Sequence, residues 1–167
     1  LGNIPELDDM PLAERLGAAF TMPARMENDA TAAGLAEATF GRDKGARRLL
    51  LIAAGTGIGI ALTVDGVPFV TTGGGLGNAG QLIVNHHAPK RCRQGCLGCL
   101  ESVASGDALN NEAADFARDH PDSMIARRSA ALGRNADASD IIHCAHAGDE
   151  AAIGMLAEAG RWIGRSA

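Results

Sequence analysis

The sequence predicts an α/β fold with a helical carboxy-terminal portion, and three observations carry that expectation. Arg48-Leu49-Leu50-Leu51-Ile52-Ala53-Ala54 is a short, nearly all-apolar run, the pattern of a strand covered on both faces. Asp65-Gly66, between the apolar runs Ile60–Val64 and Val67–Val70, is a hairpin signal. From Asp107 onward the pattern becomes helical and rich in alanine. Strands precede helices with no Ser- or Pro-rich linker between them, so the 167 residues read as a single α/β unit, strand-rich over 1–106 and helical over 107–167.

The elements follow in order. Asp8-Asp9-Met10-Pro11 ahead of Leu12, Leu16 and Phe20 reads as a capped helix with proline near its first turn. Pro23 to Met26 is a short extended piece. Asn28 or Asp29 can cap a second helix through Leu35 and Phe40, ending at Gly41. Gly55-Thr56-Gly57-Ile58-Gly59 separates the first two strands, and the glycine-rich segment Thr71 to Gly80 reads as a loop. A cysteine cluster follows, then a helical stretch from Glu101. Asp137 or Ser139 can cap a helix carrying Ile141 and Ile142. Gly148-Asp149 separates it from a last helix through Ile153, Leu156 and Ile163.

Composition narrows the function. With 46% hydrophobic and 21% charged residues the chain is not disordered, and its net charge of -5 gives no surface for nucleic acid. No stretch approaches the ~18 consecutive apolar residues of a membrane span. No secretory signal opens the chain and the cysteines are not spread like a disulfide framework, so a reducing cytoplasm is the expected compartment. The 22 glycines and 3% aromatics point to tight turns and close backbone approaches.

Three constellations could carry chemistry. The Gly55–Gly59 turn lets amides approach a phosphate, with the Thr56 hydroxyl as a further donor, although a tight β-turn is the alternative. It is neither a Walker A loop, since no Lys-Ser or Lys-Thr pair follows, nor a dinucleotide fingerprint, since a strand follows it. In Glu27-Asn28-Asp29-Ala30 a carboxylate beside an amide can accept a hydroxyl proton and bind a polyol, unless the pair only caps a helix. In Cys92-x-x-x-Cys96-x-x-Cys99, preceded by His86 and His87, three thiolates and one imidazole would make a closed tetrahedral zinc site. The alternative is a set of reduced thiols under a loop. His120, His143 and His146 lack comparable company and read as surface or packing residues. His143 and Cys144, adjacent on a helix, diverge.

The order and spacing of these motifs, with Gly77-Asn78-Ala79-Gly80 and Gly98-Cys99-Leu100-Glu101, resemble the ROK family of bacterial sugar kinases and sugar-sensing repressors. The resemblance runs from the Pro11 helix to Trp162. It implies an actin-like, ribonuclease H-like ATPase fold, of which this chain would be a partial lobe. It also implies Asp29 as the base that deprotonates a sugar hydroxyl, with Asn28, Gln81 and Glu101 as sugar contacts. Gly55, Thr56, Gly57 and Gly59 would face the phosphates of Mg-ATP. The implied partners are ATP and a hexose or N-acetylated hexosamine, with structural zinc and a homodimer expected.

The sequence departs from that pattern. The family's Glu-x-Gly-His after Ala-Gly reads Gln81-Leu82-Ile83-Val84, so a carboxylate becomes an amide and a histidine is missing; His86 or His87 could supply the imidazole across a shortened loop. The family's Cys-x-Cys-Gly reads Cys92-Arg93-Gln94-Gly95, and Cys96 is an extra thiol that can replace the lost ligand. The family's Asp-x-Gly-Gly-Thr hairpin and adenosine-contacting glycines are not found, so the expectation is an incomplete lobe. Three functions remain: part of a hexose kinase, the sugar-sensing part of a repressor, or a structural or dimerisation module.

Overall fold

The computed structural model describes residues 7, 10–71, 74–87 and 90–167. Helix α1 spans Leu12–Phe20, with Pro11 at its N-cap and no side-chain cap bond. Asp8 and Asp9, expected to cap it, lie outside the described residues. Helix α2, Asp29–Phe40, begins where Asn28 Oδ1 accepts a hydrogen bond from the Thr31 amide at 3.1 Å. That bond satisfies one of the amides that a helix start leaves without a partner.

Strands β1 (Arg48–Ala54), β2 (Ile58–Val64) and β3 (Val67–Pro68) form an antiparallel sheet in that order. The β1–β2 register runs from Arg48 opposite Val64 to Ala54 opposite Ile58. Asp65 and Gly66 join β2 to β3 with φ of 50° and 77°, both left-handed, as a two-residue hairpin turn requires. The returning strand ends at Pro68 rather than running on to Val70, with one further bond from the Phe69 amide to the Leu62 carbonyl at 2.7 Å. Val70–Thr71 (β4) instead pairs with Gly74–Gly75 (β5), and a 3-10 helix spans Leu76–Gln81. The expected plain loop from Thr71 to Gly80 is therefore largely ordered backbone, with residues 72 and 73 outside the described set.

The strand covered on both faces is β2, not β1. β2 lies between its two neighbours, with Gly34 of α2 close against Ala61 and Thr63 on one face. On the other face Ile58 and Ile60 pack with Leu100, Ala104 and Ala159. β1, at the sheet's edge among the described residues, buries Leu49 but leaves Leu50 45% exposed.

The helical part comprises α3 (Leu100–Ala104), α4 (Gly106–Asp119), α5 (Met124–Ala131), α6 (Ala138–His146) and α7 (Glu150–Ser166). Each of the last four starts at a side-chain cap: Ser105, Ser123, Asp137 and Asp149. Ala113, Ile125, Ile141, Cys144, Ala152 and Met155 form the helical core. Helix α7 contributes Ala152 and Met155 to that core, and Ala159 and Trp162 to the core beneath the sheet. Among the described residues no helix is long and apolar enough to cross a membrane.

At the start of α6, Asp140 is fully buried and closes a capping box with Asp137. Arg134 grips its carboxylate with a fork, Nη1 to Oδ2 at 2.7 Å and Nη2 to Oδ1 at 3.0 Å. Arg128 Nε stands 3.0 Å from Oδ1 as an ion pair without hydrogen-bond alignment. A buried carboxylate survives only when paired this way. Asp140→Ala should destabilise the protein by about 2–4 kcal/mol in urea unfolding, towards the low end because both arginines keep solvent contact. The hydrogen bond from the Ser139 hydroxyl, aided by the Ser139 amide and Arg134, outweighs partial burial and holds the Asp137 carboxyl below its usual range. A depressed carboxyl stabilises the fold above its unfolded value of about 4, and that stability is lost as pH falls through the lower folded value. Asp137→Asn should flatten this acid limb of the stability-versus-pH curve.

Candidate functional site

The glycine turn between β1 and β2 is fixed by its own carbonyls. The Gly55 oxygen accepts from the Gly106 amide at 2.8 Å and the Thr56 oxygen from the Asp107 amide at 3.2 Å. The next amide of α4, Ala108, is taken by the Ser105 hydroxyl at 3.2 Å. Helix α4 thus directs the positive end of its dipole at the turn instead of at an anion. A Cβ on Gly106 would lie 2.7 Å from the Gly55 oxygen, so only glycine permits this docking. Within the turn the Gly55 amide donates to the Gly57 carbonyl at 2.9 Å. Among the described residues the Thr56 and Gly57 amides have no internal acceptor, which leaves adjacent donors for an anionic group.

Glu101, on α3, closes the turn from the other side. Its Oε1 accepts a hydrogen bond from the Ile58 amide at 3.0 Å, joining residues 43 apart in sequence. A Cβ on Gly57 would sit 2.4 Å from that oxygen, so the glycine makes room for the carboxylate. Ile58 itself is 2% exposed, and without Glu101 its amide has no protein acceptor.

These elements surround a cleft of about 1210 Å³. Its wall carries Glu27, Asn28 and Asp29 from the start of α2, the Gly55–Gly59 turn, and Glu101. Asp29 is exposed there, with Oδ1 accepting from the Ala30 amide at 2.9 Å and Oδ2 left over. The cleft thus gathers Asn28, Asp29, Gly55, Thr56, Gly57, Gly59 and Glu101. Gln81 does not join them: it is half-buried at the end of the 3-10 helix and outside the lining. The adjacent chain is committed to backbone pairing, since Leu82 accepts from the Leu100 amide and Ile83 bridges Cys99.

The cysteine segment forms the cleft's third wall through Arg91, Cys92, Arg93 and Gln94. The Cys92 amide donates to the Cys96 carbonyl and the Gly95 amide to the Cys92 carbonyl, both at 2.9 Å, so the chain folds into a knuckle. The sulfurs of Cys92, Cys96 and Cys99 all lie within 4.8 Å of one another. Three thiols so gathered fit a thiophilic metal ion, because a tetrahedral zinc site with Zn–S near 2.3 Å has sulfurs about 3.8 Å apart. Burial opposes the Cys92 thiolate, but hydrogen bonds from Cys99, Cys96 and Gln94 outweigh it and hold that thiol below its ordinary range. Burial, together with the neighbouring Cys92, pushes the Cys96 and Cys99 thiols up.

Neither candidate histidine joins this cluster among the described residues. His86 and His87 are exposed on a turn in which Asn85 Oδ1 accepts from the His87 amide at 3.0 Å. His143 and His146 are exposed, Cys144 is buried, and the His120 ring packs on Phe116 at 4.4 Å.

The sequence reading began a helix at Asp107, one residue from its start, but missed that this start docks on the glycine turn, and it missed the ion pair between Arg93 and Asp107 at 2.8 Å. The signal was present in Ser105-Gly106-Asp107: a capping serine, a glycine and an acidic first turn.

An α/β chain with this cleft falls in the class of actin-like ATPase folds represented by sugar kinases. A glucokinase from Streptomyces griseus, solved in complex with glucose and AMPPNP, superposes with a TM-score of 0.79 at 27% identity, covering 93% of this chain and 50% of that one. The chain belongs to the ROK family, whose sequence profile matches residues 2–167. It is 30% identical over 156 residues to a glucokinase of Halalkalibacterium halodurans, covering 93% of this chain and 47% of that protein. It is also 32% identical over 104 residues to the DNA-binding transcriptional repressor Mlc of Escherichia coli, covering 62% of this chain and 25% of that protein. The chain thus spans about half the length of the curated glucokinase it matches.

Glu101→Ala should cost about 1–2 kcal/mol in denaturant unfolding, by leaving the Ile58 amide without its acceptor. Glu101→Gln keeps an oxygen in place and should stay close to the parent.

Proposed function

We propose that this chain is the sugar-binding, phosphate-facing lobe of an ATP-dependent hexose kinase of the ROK family. In this reading residues 1–106 and 107–167 are the strand-rich and helical parts of a single lobe. The observation that carries the reading is the meeting, in one cleft, of the Asn28-Asp29 pair, the Glu101 carboxylate and the glycine turn with two unpaired amides. A carboxylate, an amide side chain and backbone donors together match a polyol on one side and a phosphate chain on the other.

Asp29 is the general base. Its free oxygen takes the proton of a sugar hydroxyl as the hydroxyl's own oxygen bonds to the γ-phosphorus of ATP, the bond from γ-phosphorus to the bridging oxygen breaks, and ADP leaves. Asn28 and Glu101 orient the sugar. Thr56 and the amides of Thr56 and Gly57 hold phosphate oxygens, and Mg²⁺ arriving with ATP offsets their charge. Gln81 is assigned no contact, because it lies outside the lining. Zinc belongs to this reading as the brace of the Cys92–Cys99 knuckle, which forms one wall of the same cleft.

A second reading, the sugar-sensing part of a repressor, is favoured by the likeness to Mlc. It needs the sugar but no phosphoryl transfer.

In the full-length protein, Asp29→Ala should lower ADP release in the presence of Mg-ATP and glucose or an N-acetylated hexosamine by about a hundredfold or more. Activity that survives this change removes Asp29 as the base. A parent protein whose melting temperature rises with sugar, but which releases no ADP, points to the sensor.

A further inference from the structure

We propose that Cys92, Cys96 and Cys99 form a three-thiolate metal site whose fourth coordination position is left to solvent. The proposal rests on the metal reading of the knuckle and is independent of the kinase reading. It departs from the closed site of three thiolates and one imidazole that the sequence suggested.

The thiol that the family carries two residues after Cys92 is replaced here by Gln94, and a thiol stands two residues further on, at Cys96. The knuckle makes that shift work. Its tight turn brings residue 96 back over residue 92 through the Cys92 amide bond to the Cys96 carbonyl, with Arg91 bridged to Leu97 beneath. Cys99 is anchored from the opposite side, where Ile83 bridges it and the Val84 and Asn85 amides both donate to the Gly98 carbonyl. The three sulfurs need to close by no more than about 1 Å to reach the spacing of a tetrahedral face.

No fourth histidine, cysteine or carboxylate completes the cluster among the described residues. The segment that would carry an imidazole is held away, since the Asn85 oxygen lies against Gly98 and the turn beyond it presents His86 and His87 to solvent. Cys99 is buried, whereas Cys92 and Cys96 are half-exposed, so the triangle is closed on its inner side and open on its outer one. The Gln94 amide oxygen, 3.6 Å from the Cys92 sulfur, is a hard and neutral donor and a poor substitute for a thiolate. Binding a divalent ion here would release the thiol protons and leave one exchangeable position, as in metal sites that react rather than only brace. Because Cys92 also lines the cleft, that position adjoins its rim.

The test is titration of the purified full-length protein with Co²⁺, followed by visible and near-ultraviolet absorption. One equivalent should bind with charge-transfer intensity equal to three thiolates. Adding imidazole, the group the site lacks, should shift the ligand-field bands saturably. Cys96→Ser should remove about a third of the charge-transfer intensity, and the double change His86→Ala, His87→Ala should leave the spectrum as it was. Co²⁺ bound with bands that imidazole does not move, or bands altered by loss of the histidines, would overturn the open site while leaving the metal reading intact. Co²⁺ and Zn²⁺ both binding at less than about half an equivalent would remove the metal reading, and the open site with it.

Discussion

The hydrogen bond from the Ile58 amide to Glu101 is the contact on which the arrangement of the cleft depends. It ties the first residue of β2 to helix α3, and it does so in the one place where the sheet, the glycine turn and the cysteine knuckle meet. Glu101 follows Cys99 by two residues, so whatever fixes the knuckle also fixes the carboxylate. Gly57 lies under that carboxylate with no room for a Cβ, which makes the glycine of the turn a condition for the acidic side chain rather than only a site of close phosphate approach. One carboxylate oxygen is spent on the backbone and the other remains for the cleft.

The helical portion supports this contact at a distance. Helix α7 packs its first half into the helical core and its second half beneath β2 and α3. Helix α4 is held within the same core by Ala113, and its amino-terminal amides hold the carbonyls of Gly55 and Thr56. The glycine turn is thus braced by a helix start on one side and a carboxylate on another. With its carbonyls occupied, the turn is left presenting amides. A turn held only by its own hydrogen bonds would be free to rotate those amides inward. Preorganised donors of this kind act on an anion without reorganisation at the moment of reaction.

What the sequence made legible was local. Caps lie within three residues of the amides they satisfy, so Asn28 and Asp137 were each legible to within two candidates, while Asp149 was read only as part of a break and proved to be a cap; the Asp65-Gly66 hairpin fixed the β2–β3 turn by its dihedral demands alone. The strand covered on both faces was misassigned to the more hydrophobic run, because coverage is set by a strand's place in the sheet. Leu50 is apolar and exposed, while Thr63 is polar and buried. The placement of Gln81, His86 and His87 was beyond reach, since it is set by pairings with residues 97–100 that leave no periodic trace. Motif order grouped Asn28, Asp29 and the glycine turn, which the fold brings to one cleft, whereas the bracing of that turn by Gly106 needed the fold.

The knuckle connects these two scales. Cys92, Arg93 and Gln94 are three consecutive residues that line the cleft, and Arg93 pairs with Asp107, whose amide holds the Thr56 carbonyl. A continuous path therefore runs from the knuckle through one ion pair and one hydrogen bond to the glycine turn. The Arg93–Asp107 pair is partly exposed and contributes little to stability by itself. Its significance is geometric: together with the Lys90–Asp115 pair it ties the knuckle segment to helix α4, whose first amides hold the glycine turn. Gln94 and Cys96 thus bear on the cleft as well as on the knuckle, because the same short segment lines the one and makes the turn of the other.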